Sequence, residues 1–566
     1  MTGTTEKREE GRKMDYITPQ GFRDVLPSEA RAREIIEQEV QAAFASAGYE
    51  PIETPSLEMM SVLEAGGRIP GSPFKFFDAQ GDLLAMRPDV TLQVARMCAT
   101  RLKSKPGPFR FRYKQRVYRE AAGLVQAAAR EQTQIGIECI GEEGPRADAE
   151  VITLLAEALK ITGVSRFTLS LATVGVLRAL LEASGAGPAW VQAILDAFHD
   201  SNFVEIDTLT DAGYKPEGSD AKSFAPAAPV FASAIRSLPR IRGSREAIDK
   251  VRDLVAPLGC EDGLDDFEKT YDLLVDAGLE SCLMVDFSVM SSFDYYTGIV
   301  FQANSFGFGR SLGSGGRYDK TLGAYGEDRP AAGFAFFLEE TMAAASFESD
   351  QDRPLRIAIP KGSLNADTIA TLEAAGLDVT GLDNPGRMLI ISNPGVDYII
   401  VRPTDAPVFV ETGAADCGIC GEDSLLEANP DVIELVDLNF GSCRFVVAEP
   451  DGSRKQIEDH YEKLGSIRVA TKYPRITAAY YAKAGTQVEI VKLHGNIELA
   501  PLTGIAERIV DITATGTTLR ENNLVVVDEV LSSTARFFAN TCAFRTDARI
   551  QDLAEKLAAC VSKKEG

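Results

Sequence analysis

The sequence has few histidines, an excess of acidic over basic residues, and no long apolar run. Its 566 residues include three histidines, His199, His460 and His494, too few for a histidine-rich metal centre. Lys and Arg number 59 against 83 Asp and Glu, a net charge of −24 that opposes a large nucleic-acid footprint. No run of about 18 apolar residues occurs, and Met1 to Lys13 lacks the apolar segment of a secretory signal. We therefore expect a cytoplasmic protein that binds neither nucleic acid nor membrane.

The nine cysteines show no disulfide pattern. Only Cys417-Gly-Ile-Cys420 has the spacing of a redox or metal site, and it lies in the apolar run from Ala414 to Cys420. Since no second pair of this spacing exists, we interpret the run as a buried strand and expect free thiols.

The length of the chain, and the polar breaks containing glycine and proline between its periodic segments, predict several lobes rather than one core. We expect a disordered tail at 1–13, one domain at 14–345 with a helical insertion at about 203–283, and a linker at 346–354. Beyond the linker, short apolar strands alternate with helical stretches from Leu355 onward. This alternation predicts two α/β lobes with a cleft between them over residues 355–566.

The run from Val510 to Thr518 is the strongest local signal for a ligand. Ile509 to Ile512 is predicted to be a strand, Asp511 lies near its end, and a hydroxyl-rich turn follows: Thr513, Ala514, Thr515, Gly516, Thr517 and Thr518. Backbone N–H groups and hydroxyls of such a turn, with a helix starting near Leu519, can surround a phosphate. Asp511 could accept hydrogen bonds from ribose hydroxyls and favour positive charge on the ring. The alternative is an ordinary turn of an α/β domain.

Four charged residues are candidates to line the same cleft. Arginine binds phosphate oxygens bidentately and lysine supplies a compact charge, which suits a polyphosphate. The candidates are Lys361, Arg387, Arg402 and Glu498. Each of them taken singly is more often a solvated surface residue.

Six short sequence motifs, in order over residues 355–566, carry a resemblance to a known family. They are Ile359-Pro-Lys-Gly-Ser363, Val401-Arg-Pro-Thr-Asp-Ala-Pro407, Gly413-Ala-Ala-Asp-Cys-Gly-Ile-Cys-Gly-Glu-Asp423, Ala470-Thr-Lys-Tyr-Pro474, Gly495-Asn-Ile-Glu-Leu-Ala-Pro501 and Asp511-Ile-Thr-Ala-Thr-Gly-Thr-Thr-Leu519. This segment resembles the short form of ATP phosphoribosyltransferase, the enzyme that opens histidine biosynthesis. One departure is His494, where the family commonly has Asn.

The resemblance implies two substrates, phosphoribosyl pyrophosphate and ATP. The 5-phosphate would lie on Thr515 to Thr518 and the ribose near Asp511. The pyrophosphate would be held by substrate-borne Mg²⁺ and by basic side chains, for which Lys361, Arg387 and Arg402 are candidates. N1 of adenine would attack the anomeric carbon.

Residues 14 to about 345 resemble histidyl-tRNA synthetase, whose class II fold is built on an antiparallel sheet. The phrases are Gly48-Tyr-Glu-Pro-Ile-Glu-Thr-Pro55, Met86-Arg-Pro-Asp-Val-Thr91, Tyr118-Arg119, Gln134-Ile-Gly-Ile-Glu138, Asp294-Tyr-Tyr-Thr-Gly298 and Gly313-Ser-Gly-Gly-Arg-Tyr-Asp319. Two synthetase arginines are missing: Ser291 stands at one position, and Gly333 to Leu338 runs into Glu339-Glu340 at the other. Loss of these cations should disfavour adenylate chemistry.

A histidine pocket is nevertheless implied by the same resemblance. Its candidate residues are Asp89, Thr91, Arg119, Gln134, Glu138, Tyr295 and Tyr296. The arrangement resembles the regulatory subunit that accompanies short-form transferases, here fused to the enzyme. We expect a homo-oligomeric transferase that histidine inhibits. The alternatives are an inherited pocket without ligand, a tRNA ligase with an accessory domain, and a non-catalytic sensor.

Overall fold

The structure is a computed structural model that describes residues 17–67, 72–120, 129–214, 223–289, 295–347, 353–513 and 516–565. The predicted tail at 1–13 and residues 348–352 of the predicted linker lie outside these ranges. Within them, no helix is both long and apolar enough to cross a membrane.

The N-terminal part, called the body below, is built on a large sheet. Its strands are β1 (Glu50–Pro51), β2 (Leu57–Met59), β3 (Lys75–Phe77), β4 (Leu83–Met86), β5 (Phe109–Tyr118), β6 (Glu131–Ile140), β7 (Thr168–Thr173), β8 (Arg242–Gly243), β9 (Leu283–Asp286), β10 (Ile299–Asn304), β11 (Gly313–Arg317) and β12 (Ala331–Phe337). Nine of them form a sheet in the order β1-β5-β6-β12-β11-β10-β7-β9-β8, and β2-β4-β3 form a small second sheet. Neighbours in the large sheet are antiparallel except β1–β5 and β7–β9, which confirms the predicted antiparallel sheet.

The helices of the body cover this sheet and form the insertion. They are α1 (Pro27–Ser46), α2 (Met60–Ala65), α3 (Thr91–Thr100), α4 (Pro145–Ile161), α5 (Val174–Ala183), α6 (Pro188–His199), α7 (Phe203–Leu209), α8 (Pro229–Ser237), α9 (Glu246–Val255), α10 (Leu264–Asp276) and α11 (Leu338–Ser346). Short 3-10 turns occupy Leu238–Arg240, Ala256–Leu258, Glu280–Cys282 and Thr321–Ala324. Four helices start with proline, which fits the first turn because its missing N–H has no partner there. The insertion is not purely helical, because β8 pairs with β9 and ties it to the large sheet.

The C-terminal part forms two α/β lobes, as predicted. Its strands are β13 (Leu355–Pro360), β14 (Ile390–Asn393), β15 (Val396–Val401), β16 (Cys417–Gly421), β17 (Val432–Asp437), β18 (Cys443–Pro450), β19 (Ile467–Thr471), β20 (Val488–Lys492), β21 (Arg508–Thr513), β22 (Leu524–Ser533) and β23 (Ala535–Asn540). Its helices are α12 (Asn365–Ala374), α13 (Ala406–Glu411), α14 (Glu422–Ala428), α15 (Arg454–Leu464), α16 (Pro474–Lys483), α17 (Leu499–Leu502), α18 (Thr517–Glu521), α19 (Thr541–Thr546) and α20 (Ala548–Glu565). The first lobe has the sheet order β14-β15-β13-β16-β23-β17, and the second has β20-β19-β21-β18-β22. Cys417 and Cys420 lie on β16 with no exposed surface, which confirms the buried-strand interpretation.

The chain crosses between the two lobes twice. Residues 438–442 lead from β17 to β18, and Thr534 alone separates β22 from β23. The crossings are hydrogen-bonded to each other, since the Leu438 N–H donates to the Ala535 carbonyl and the Ala535 N–H to the Phe440 carbonyl, both at 2.9 Å. Hinges are a few loop or element-terminal residues that absorb rotation of the backbone, and these two crossings, called the hinge below, are of that kind.

The body packs tightly against the first lobe. One cluster of buried apolar side chains extends through both, and Phe203 meets Phe544 edge to face at 6.2 Å between ring centroids. A Cβ on Gly309 of the body would lie 2.7 Å from the Cα of Gly413 in the first lobe, so the two backbones touch. The Asn540 side-chain amide donates to the Gly309 carbonyl at 3.0 Å and also to the Val410 carbonyl at 3.0 Å. Because the two units share a core and polar contacts, a change in one can be transmitted to the other.

Candidate functional site

The predicted phosphate turn lies at the carboxyl edge of the second sheet. Strands β20, β19 and β21 are parallel neighbours, so their carboxyl ends share one edge. That edge carries Lys472 and Tyr473 after β19, His494 after β20, and the segment from Asp511 at the end of β21. Ligands of open α/β sheets bind at such edges.

Two residues brace the turn itself. The Gly516 N–H donates to the Thr513 hydroxyl at 2.8 Å, so Thr513, which is buried, holds the turn closed from inside. Gly516 has φ +68°, a left-handed conformation that glycine adopts without strain, and α18 begins at Thr517. Thr517 and Thr518 are exposed to solvent. Ala514 and Thr515, also predicted to bind substrate, lie outside the described residues.

Asp511 is half-buried beside this turn. Its Oδ1 accepts a hydrogen bond from the Ile512 N–H at 2.9 Å. Burial raises the pKa of the carboxyl group, Lys472 opposes that shift, and Glu498 adds to it. The predicted residues Asp511 and Glu498 are therefore neighbours. Lys472 was missed, although it lies within the phrase Ala470-Thr-Lys-Tyr-Pro474.

The first lobe brings the predicted cations to its own carboxyl edge. Strands β13 and β15 are parallel with Pro360 opposite Val401, so Lys361 and Arg402 follow paired strand ends, and the Lys361 N–H donates to the Val401 carbonyl at 2.8 Å. Strand β14 runs antiparallel to β15 with Ile390 opposite Ile399, which places Arg387 at the same end. All three cations are exposed.

Tyr473 lies where the two edges meet. Burial raises the pKa of its hydroxyl, and the next contributions come from Asp423 of the first lobe and Asp511 of the second. Close by, the Glu427 carboxylate of α14 accepts hydrogen bonds from the N–H groups of Arg475 and Ile476 at 3.0 and 3.1 Å. These contacts join the first lobe to the second next to the carboxyl edge that carries Lys472 and Asp511.

The body contains a second cluster of predicted residues, linked by hydrogen bonds. The Gln134 amide donates to Asp89 at 2.7 Å and accepts from the Val90 N–H at 3.1 Å. Asp89 also accepts from the Thr91 N–H at 2.8 Å, and the Thr91 hydroxyl donates to Glu138 at 2.7 Å. Asp89 and Thr91 are partly exposed, whereas Gln134 and Glu138 are buried beneath them. Four of the seven predicted pocket residues are thus brought together by hydrogen bonds.

Glu138 forms the floor of this pocket. It accepts hydrogen bonds from the hydroxyls of Thr91, Tyr113 and Tyr318, the Tyr113 bond at 3.3 Å. A Cβ on Gly333 of β12 would lie 2.1 Å from its Oε2, so only glycine leaves room for the carboxyl group there. Burial raises the pKa of Glu138 to about 8 and outweighs the three hydroxyl donors.

Aromatic rings form the wall. Tyr295 meets Tyr296 edge to face at 5.1 Å and stacks on Tyr318 at 5.2 Å between centroids. Within the described residues the buried Tyr295 hydroxyl has no hydrogen-bond partner. Arg119 lies over the Phe337 ring at 5.1 Å and donates to the Pro88 carbonyl at 2.9 Å. Tyr113 was not predicted because only its position opposite Gly136 in the sheet directs it here.

The carboxylates that replace a synthetase arginine are held in ion pairs. Glu339 pairs with Arg33 at 2.7 Å and accepts from the Thr133 N–H at 2.9 Å. Glu340 pairs with Arg310 at 2.8 Å. These acids line a cavity of about 370 Å³ next to β6, where the resemblance would place a cation for ATP. Ser291, the other substituted position, lies outside the described residues.

The raised pKa of Glu138 predicts how stability depends on pH. Its folded-state pKa of about 8 exceeds the ordinary value of 4.5, so its stabilising contribution is complete below pH 4.5 and is lost as pH rises through 8. The thermal midpoint of the wild type should fall more steeply than that of Glu138→Gln from about pH 5 to about pH 8. Calorimetry at several pH values measures this. Parallel curves for the two proteins would contradict the assignment.

Comparisons with known proteins agree with this division. Residues 21–341 match the histidyl-tRNA synthetase family, and residues 402–559 match the ATP phosphoribosyltransferase family. The ATP phosphoribosyltransferase of Rubrobacter xylanophilus is 52% identical over 193 residues, which cover 34% of this chain and 89% of that protein. The Moorella thermoacetica enzyme is 52% identical over 199 residues, 34% of this chain and 87% of that protein.

A solved structure resembles more than half of the chain. It is the crystal structure of an ATP phosphoribosyltransferase regulatory subunit/histidyl-tRNA synthetase from Bacillus halodurans, 26% identical with a TM-score of 0.53. The similarity covers 69% of this chain and all of the Bacillus chain.

Fold and site together define a two-lobed transferase fused to a class II synthetase-like domain. The chain belongs to the ATP phosphoribosyltransferase family in its C-terminal part and to the histidyl-tRNA synthetase family in its N-terminal part. It is an ATP phosphoribosyltransferase, a transferase of histidine biosynthesis, with a domain of the regulatory type at its N-terminus.

Proposed function

We propose that the chain transfers the phosphoribosyl group of phosphoribosyl pyrophosphate to N1 of ATP, and that histidine inhibits this reaction through the body. The arrangement that carries the proposal is a pair of carboxyl sheet edges, with Asp511, Thr513 and Gly516 on the second lobe and Lys361, Arg387 and Arg402 on the first. A phosphate site beside a carboxylate suits a ribose 5-phosphate, and cations opposite suit a pyrophosphate.

In the proposed reaction, the lone pair of adenine N1 forms a bond to the anomeric carbon of the ribose. The bond from that carbon to the pyrophosphate oxygen breaks, and its electron pair leaves with pyrophosphate. Since N1 carries a free lone pair, no general base is required for the attack. Asp511 stabilises positive charge on the ribose, and Arg387 and Arg402 stabilise the leaving group.

Lys361 and Glu498 are assigned to substrate binding from opposite lobes. Lys361 follows the end of β13 and would contact the pyrophosphate, while Glu498 lies next to Asp511 and would reach the sugar or ATP. Mg²⁺ enters this scheme as part of the substrate, bound to the pyrophosphate. Mg²⁺ commonly binds through substrate phosphates, and among the described residues no group of three His, Cys, Asp or Glu side chains could hold a metal ion.

The regulatory part of the proposal rests on the pocket of the body. Its carboxylate Asp89 suits an α-ammonium group, and Glu138 with the Tyr295 hydroxyl, which has no partner in the described part of the chain, suits an imidazole. Inhibition requires that histidine bind the active and inactive states unequally, and a coupling of about 1 to 3 kcal/mol suffices. A homo-oligomer and a cytoplasmic location stay predictions from the sequence.

The test uses the purified full chain with ATP, Mg²⁺ and phosphoribosyl pyrophosphate, with and without histidine. Chromatography should show 1-(5-phosphoribosyl)-ATP and pyrophosphate in equal amounts, at a rate that falls as histidine is added. Ligand binding without product would identify a sensor instead, and a rate independent of histidine would reject the regulatory part alone. Histidine-dependent exchange of pyrophosphate into ATP would point to the tRNA ligase.

A further inference from the structure

A buried arginine organises the hinge between the lobes. Arg536 lies on β23, two residues after the crossing at Thr534, and its side chain is 9% exposed. It pairs with Glu422 at 3.1 Å, with Glu434 at 2.9 Å, and with Asp437. These carboxylates come from the start of α14 and from both halves of β17. One guanidinium therefore fixes three segments of the first lobe at the point where the second lobe joins.

The crossings take part in the same cluster. The Thr534 hydroxyl donates to Asp437 at 2.8 Å and accepts from Arg536. Beside it, the Ser533 hydroxyl at the end of β22 donates to the Asp423 carboxylate at 3.1 Å. Since Ser533 belongs to the second lobe and Asp423 to the first, rotation of one lobe against the other must alter these contacts.

The body reaches this cluster directly. The Glu434 N–H donates to the Ser201 carbonyl at 3.2 Å, and the Asn202 side-chain amide lies 3.5 Å from the Glu434 carboxylate. Strand β17 has an irregular register between Glu434 and Val436, next to this contact. Glu205 in the first turn of α7 lies close enough for Arg536 to act on its charge. The start of α7 is thus the part of the body that touches the hinge.

The cluster places several carboxylates around one arginine, so the charge of each carboxylate affects the others. Glu434 faces Glu422 and Asp437 from the first lobe and Arg536 from β23, while Glu205 faces Arg536 from the body. Burial raises the pKa of Glu434 to about 7, Glu422 and Asp437 add to the shift, and Arg536 opposes it. A small displacement by the body can therefore change the protonation of Glu434 near neutral pH, and with it the strength of the Arg536 contacts.

We propose that Arg536 is a positioning residue of the transferase, and that the body adjusts the orientation of the two lobes by holding Glu434 through Ser201 and Asn202. The inference rests on the proposed transfer reaction but not on the histidine pocket. Asp511 and the turn belong to one lobe, and Lys361 and Arg402 to the other, so the angle at the hinge sets the geometry of transfer. A misplacement of about 1 Å can lower a rate about 100-fold.

Three variants of the full chain test the inference: Arg536→Lys, Glu434→Gln and Asn202→Ala. Arg536→Lys keeps the positive charge but loses the planar guanidinium that binds several carboxylates at once. It should lower kcat at least about tenfold and leave KM for both substrates within about twofold of the wild-type value. Arg468→Lys is the matched control, because Arg468 also pairs with a carboxylate, Glu507, but near the amino end of β19. It should change kcat by less than about twofold.

The dependence of kcat on pH distinguishes a positioning role of the cluster from a merely structural one. The wild-type kcat should show an inflection near pH 7 that Glu434→Gln removes, since glutamine does not titrate. Asn202→Ala should change kcat in the wild type but much less in Glu434→Gln, because the two residues act through one contact. The inference would be overturned if Glu434→Gln kept the inflection, or if the effects of Asn202→Ala and Glu434→Gln on kcat were additive. Equal values of kcat for Arg536→Lys and Arg468→Lys would also overturn it. A wild type without transfer activity would instead reject the proposed function, and this inference with it.

Discussion

Replacing Asp511 with asparagine should lower kcat for phosphoribosyl transfer by about 10²- to 10³-fold, the range found when one electrostatic contact to a transition state is removed. Asparagine keeps the size of the side chain and its hydrogen bond to the Ile512 N–H. What it loses is the negative charge next to the ribose. Because that charge matters most when the ribose becomes cationic, KM for phosphoribosyl pyrophosphate should change much less than kcat.

Asp451→Asn supplies the control for this comparison. Asp451 follows β18, which runs antiparallel to β21, and therefore lies at the opposite edge of the same sheet from Asp511. Steady-state rates of the two variants with ATP and phosphoribosyl pyrophosphate measure the difference. Equal activity of both would exclude Asp511 from the charge stabilisation assigned to it, while a rise in KM alone would limit it to binding.

Strand-to-loop transitions in the sequence mark the carboxyl edges of the two sheets of the C-terminal part. Lys361, Arg402 and Asp511 each stand at or just after the end of an apolar strand, and the carboxyl ends of parallel strands meet at one edge. Strands β17, β22 and β23 were not predicted. Glu434 and Arg536 interrupt the apolar pattern of two of them, and both residues are stabilised by partners distant in sequence. The hinge could therefore not be derived from local periodicity.

The contacts of the pocket in the body likewise could not be derived from the local sequence pattern. Gln134 and Glu138 were predicted from the resemblance, through the run Gln134-Ile-Gly-Ile-Glu138. Their partners come from positions 91, 113 and 318, and the space for Glu138 depends on Gly333 across the sheet. Pairings of this kind follow from the register of four strands, which spacing along the chain does not give.

Replacing Asp89 with asparagine should weaken inhibition by histidine about 5- to 150-fold, the range of ordinary allosteric couplings. Asp89 is the partly exposed carboxylate of the pocket, and it is oriented by Gln134 and by the Thr91 N–H. Without its charge an α-ammonium group loses its partner, and the Gln134 amide loses a charged acceptor. Both effects lower the affinity of the pocket for an amino acid.

The measured quantity is the ratio of initial rates without and with histidine, so that a change in the uninhibited rate cancels. Asp253→Asn, an exposed aspartate on α9 of the same domain, should leave that ratio as in the wild type. Calorimetric titration of histidine into each protein then separates two failures. Normal binding to Asp89→Asn would show that histidine binds elsewhere, whereas lost binding with inhibition retained would show that the pocket takes histidine without controlling the cleft.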